Sequence, residues 1–80
     1  RKAAEKGKAE AQAIIGAIYA DGQGVTQNYV TAYMWWNLAA AKGNELAQTR
    51  KEIIEKKMTR EQISMAQKLS REWLAKHPIE

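Results

Sequence analysis

The chain has 80 residues, 45% of them hydrophobic and 28% charged, and no cysteine. That is one small domain at most, without disulfides or thiolate metal sites to staple it. Thirteen Lys and Arg against nine Asp and Glu give a formal net charge of +4, and the surplus is split evenly between the two halves, so the surface is of mixed charge rather than a basic stripe.

No apolar run approaches the ~20 residues that span a bilayer. The opening Arg1-Lys2-Ala3-Ala4-Glu5-Lys6-Gly7 has neither an initiating methionine nor a signal-peptide core, and reads as a fragment that starts inside a helix.

A first helix is expected from soon after Gly7 to about Ala20. Ala11, Ile15 and Tyr19 form one apolar face, and Ile14 and Ile18 form a second. A helix apolar on two sides needs neighbours on two sides. Asp21-Gly22-Gln23-Gly24-Val25 then breaks it, with Gly22 suited to the left-handed position after a helix and Val25 expected to plug the gap beneath the turn. Asn28 is the expected N-cap of a second helix reaching about Lys42. That helix interleaves Tyr29, Tyr33, Trp35 and Trp36 with Ala32, Ala39 and Ala40, a mixture suited to close packing. Consecutive Trp35 and Trp36 point about 100° apart and serve different seams.

Gly43 ends the second helix and Asn44 caps a third, which carries Leu46, Ala47, Ile53 and Ile54 opposite Arg50, Lys51, Glu52, Glu55, Lys56 and Lys57. Thr59-Arg60-Glu61-Gln62 reads as a capping box, with Met58 and Ile63 as its hydrophobic staple. A fourth helix shows a stripe of Ile63, Ala66, Leu69, Trp73 and Leu74, with Ser64 and Ser70 assigned to its polar side. Lys76 and His77 complement its C-terminal dipole, and Pro78 stops it.

Two blocks repeat along this path. Ala3, Ala4, Lys6, Gly7, Ala11 and Gln12 recur 36 residues later as Ala39, Ala40, Lys42, Gly43, Ala47 and Gln48. A period in the thirties marks a helical-hairpin solenoid, whose successive units take the same conformation. The fold class expected is therefore all-α, a fragment of an α-α superhelix with about four helices in two antiparallel hairpins.

The spacing Ala9-x-Ala11-Gln12-x-x-Ile15-Gly16-x-x-Tyr19-x-x-Gly22-x-Gly24-Val25, followed by Ala32-x-x-Trp35-x-x-x-Ala39-Ala40-x-x-Gly43, resembles the Sel-1-like repeat, a relative of the tetratricopeptide repeat. Departures are Ile15 for leucine, Asn28 for aspartate, and Thr31 and Leu38 for lysine; an apolar Leu38 at a usually polar position marks a contact. The resemblance divides the chain into residues 1–6, the tail of a preceding repeat; 7–43, one full repeat; and 44–80, a partial repeat with a C-terminal capping helix. It implies a non-catalytic scaffold that holds a protein or peptide partner against the concave side of the array. Capped bacterial members are often exported, so the resemblance leans toward the periplasm or secretion, with the cytoplasm open.

If the first and third helices align at the repeat offset, the groove is lined by Glu10, Ala13, Ile14 and Ala17 opposite Leu46, Thr49, Arg50 and Ile53, and Trp36 is a candidate interface aromatic. No catalytic, cofactor or metal site is expected. Gly22-x-Gly24 lacks the strand and third glycine of a dinucleotide loop, and the single His77 has no metal-ligand companions. The basic knot of Lys56, Lys57 and Arg60 is flanked by Glu52, Glu55 and Glu61, so nucleic acid is not expected, and a weak nucleic-acid-binding module remains the alternative function. Removal of upstream units would bare Ile14, Ile18 and the second helix, so the isolated fragment is expected to self-associate.

Overall fold

A computed structural model describes residues 2–76, with side chains from Lys8 onward. Four helices follow one another, and the described residues contain no strand: α1 Lys2–Asp21, α2 Tyr29–Ala41, α3 Glu45–Glu55 and α4 Arg60–Lys76. His77 and Pro78, with the helix-stop role expected of them, lie outside the described residues. α2 is the shared element, packed on α1, α3 and α4 alike.

The turns follow local chemistry. Asn28 accepts from the backbone N–H of Thr31 at 3.1 Å, and Asn44 from that of Ala47 at 2.8 Å. Each satisfies one of the donors left free at a helix start. Thr59 and Gln62 complete a reciprocal box: Thr59 Oγ1 accepts from the Gln62 N–H at 3.1 Å, while Gln62 Oε1 accepts from the Thr59 N–H at 2.9 Å. Met58 is buried beside it and Ile63 packs on the core.

The turn after α1 departs from expectation. Val25 is exposed rather than a plug. Gln27 closes the turn instead: its side-chain amide donates to the Ala20 carbonyl at 2.8 Å, and the Asn28 N–H donates to the Tyr19 carbonyl at 2.9 Å. A short amide that satisfies a helix-end carbonyl has more to gain there than a methyl group over open water.

The two repeated blocks are not alike either. Gly43 sits in a turn at φ +92°, between α2 and α3, whereas Gly7 lies inside a continuous α1. The helix therefore does not begin after Gly7. The residue following each glycine accounts for the difference. Asn44 has a side-chain acceptor that caps α3. Its counterpart is Lys8, which has none. Without a cap to favour a new start, a glycine among Ala, Glu and Lys costs only about 1 kcal/mol in a helix interior, and α1 runs on.

The core-facing side of α1 also differs from the expected Ala11–Ile15–Tyr19 face. Ala9, Gln12, Ala13 and Gly16 are buried, with Ala17, Tyr19 and Ala20 packed beside them, and Ala11 is exposed. Small side chains let α2 approach until Trp36 lies on Gly16, where an added Cβ would stand 2.5 Å from the indole nitrogen. Trp35 leaves α2 in another direction and meets Trp73 of α4 edge-on, with ring centroids 5.8 Å apart. The two tryptophans thus serve separate seams, as their 100° separation requires. Leu38 shares the Trp35 face and is buried within the chain.

Ser70 corrects another expectation. It is only 2% exposed, not on a polar face, and its hydroxyl donates to the Ala66 carbonyl at 2.9 Å. With its polar group satisfied by its own helix, serine behaves as a small packing residue beside the fully buried Ala66.

Candidate functional site

Of the residues expected to line a groove between α1 and α3, Glu10 and Leu46 meet at one depression. A depression of about 400 Å³ is lined by Ala9 and Glu10 of α1, by Lys42, Gly43 and Asn44 of the turn, and by Glu45 and Leu46 at the start of α3. Glu10 and Leu46, one repeat offset apart, thus share its wall. Ile14 is 62% exposed, Leu46 56% and Ile53 53%, and Thr49 and Arg50 are exposed between the last two. The Thr49 hydroxyl donates back to the Glu45 carbonyl at 3.1 Å, so it presents a satisfied edge rather than a free donor.

Three of the expected residues face elsewhere. Ala13 is buried against α2, and its carbonyl accepts from the Trp36 indole N–H at 3.0 Å. Trp36 is therefore core and not an interface aromatic: at 4% exposure its only polar atom is already paired. Ala17 is half-buried and packs on the same core. One residue step rotates a helix by about 100°, so a face that presents Ile14 must withdraw Ala13.

Between α2, α3 and α4 lies a polar cluster that sequence spacing does not reveal. The Tyr33 hydroxyl on α2 donates to Glu55 Oε1 on α3 at 2.7 Å, and the Gln67 side chain of α4 reaches the same hydroxyl. Burial, then the hydrogen bond to the Glu55 carboxylate and its charge, raise the pKa of Tyr33, against an opposing contribution from Gln67. Lys51 of α3 donates to Asn37 at 3.2 Å with its ammonium 5.9 Å from the Tyr33 ring centre. These contacts hold α3 in position, and with it Leu46, Arg50 and Ile53. On the other side of α2, Lys42 stands 5.9 Å from the Trp73 ring centre.

Among the described residues no group of three His, Cys, Asp or Glu side chains gathers to hold a metal. No described helix is long and apolar enough to cross a membrane. Lys56, Lys57 and Arg60 are exposed around the α3–α4 turn, with Glu52 and Glu61 exposed nearby.

A helical hairpin closed by Gly22 and Gly24, with a tryptophan seated on a mid-helix glycine, agrees with the comparison to known families. The family model of the Sel1 repeat matches residues 9–44. The chain carries a Sel1 repeat. No curated protein matches it. Sel1 repeats are non-catalytic helical units that mediate protein–protein interaction. The matched span begins within α1 and ends on Asn44, the residue that caps α3.

Proposed function

We propose that this Sel1 repeat holds a helix or extended segment of a protein partner along the groove between α1 and α3. The observation that carries the reading is the exposure of Leu46 in the wall of a depression that Glu10 and Glu45 also line, with Ile14 exposed further along α1 and Ile53 further along α3. Large aliphatic side chains left in water on neighbouring helices are what an incoming apolar edge would cover. Arg50 and the two glutamates supply charges of both signs to fix its direction.

The test uses substitutions at exposed positions, which leave the core intact. Leu46→Asp and Ile53→Asp are expected to abolish co-purification of the partner. Met65→Asp, on the exposed side of α4, is expected to retain it. A partner that stays bound to both α3 variants overturns the assignment. Bulky substitutions at Ala13 are unsuited to this purpose, because they would test the α1–α2 seam instead.

A further inference from the structure

The charged side chains of α3 divide by direction. Lys51 donates to Asn37 at 3.2 Å, Glu55 accepts from Tyr33 at 2.7 Å and Glu52 accepts from Gln48 at 3.0 Å, so these three are engaged within the chain. On another side, Leu46, Arg50 and Ile53 fall within an arc of about 60°, and the exposed Lys57 continues their spacing into the turn beyond α3. Among the described residues the Arg50 and Lys57 side chains have no hydrogen-bond or ion-pair partner. At the Leu46 end the sign changes. Glu10 and Glu45 line the depression there, while Lys42 of its wall holds its ammonium 5.9 Å from the Trp73 ring centre. From the depression along α3 the order is therefore acidic, apolar, basic, apolar, basic.

We infer that the segment held on this surface is a helix of complementary order, antiparallel to α3. It sets an acid over Lys57, an aliphatic residue over Ile53, an acid over Arg50, an aliphatic residue over Leu46, and a Lys or Arg over the two glutamates. This rests on the groove proposed above and adds the chemistry and direction of its occupant. A helix fits because the surface repeats every three or four residues, the spacing at which a helix presents one face. Charge and dipole then agree on direction. Acids favour a helix N-terminus and bases its C-terminus, so the acidic end belongs over Lys57 and the basic end over the depression. A parallel helix would have to carry that charge order against its own dipole.

Two synthetic helical peptides in one alanine–glutamine host test this by amide-shift titration up to about millimolar peptide. The matched peptide carries acid, leucine, acid, leucine and lysine at the spacings of α3; the second has every charge inverted. The matched peptide should shift the amides of Leu46, Arg50 and Ile53 and bind about 10-fold tighter than the inverted one. Arg50→Glu should narrow that preference. A nitroxide on the N-terminus of the matched peptide should broaden amides around Lys57 and spare those around Gly43. No binding of the matched peptide, equal binding of the two, or broadening at Gly43 overturns the inference. Equal binding that is lost in Leu46→Asp leaves the groove standing and removes only the charge order. Matched binding that survives Leu46→Asp overturns both.

Discussion

Replacing Gly16 by alanine tests the seam on which the α1–α2 hairpin depends. Helix propensity alone favours the change by about 1 kcal/mol. Packing opposes it: the new Cβ would stand 2.5 Å from Nε1 and 2.6 Å from Cδ1 of Trp36. Overpacking of a close-fitted site costs about 1–3 kcal/mol. Moving the indole also breaks its 3.0 Å bond to the Ala13 carbonyl and leaves a buried N–H unpaired, for about another 1–3 kcal/mol. The sum is a net loss of about 3 kcal/mol, which lowers Tm by more than ~10 °C in a domain of this size. Circular dichroism at 222 nm during thermal and urea unfolding measures it. Trp36→Phe removes the crowded ring edge, so the double variant should lose about 1–2 kcal/mol less than the two single losses added together. If Gly16→Ala instead stabilises the fold by the propensity increment alone, α2 does not approach α1 as closely as described.

Three further outcomes follow from individual contacts. Tyr33→Phe forfeits the 2.7 Å bond to Glu55 and should cost about 1 kcal/mol at neutral pH. Because the folded-state pKa of Tyr33 is raised, its stabilising contribution is intact below the unfolded value of about 10 and is lost as pH rises through the folded one; urea titrations at increasing pH should show that decline in the parent and not in the variant. Asn44→Ala removes the cap of α3 and should cost about 1 kcal/mol, with faster amide exchange at Ala47. Gln12 carries a buried side-chain oxygen with no partner, so Gln12→Met should raise stability by about 1 kcal/mol in the same urea assay.

The caps were readable because capping is chemistry within four residues: Asn28, Asn44, Thr59 and Gln62 each act on an immediate neighbour. The divergence of Trp35 and Trp36 followed equally from helical rotation. What depends on an opposing surface was not readable. Ser70 looks polar until burial and the Ala66 carbonyl, its acceptor, are seen together. Tyr33 and Glu55 are 22 residues apart, and no periodicity links them. Gly16 did carry a signal, since a glycine inside a strong helix implies a close neighbour. At the groove, repeat alignment grouped Ala13 with Ile14, although rotation sends one inward and the other to water. The repeat letters at Gly7 and Gly43 match, yet Lys8 in place of Asn44 is enough to change the backbone.

Because α2 touches every other helix, this piece of solenoid does not come apart one rung at a time. Peeling away α1 or α4 exposes flanks of the same central rod, and each departure loosens the grip of those remaining. Amide protons along Ala32–Ala39 should therefore exchange only when the whole molecule opens, while the outer turns of α1 and α4 exchange through local fraying.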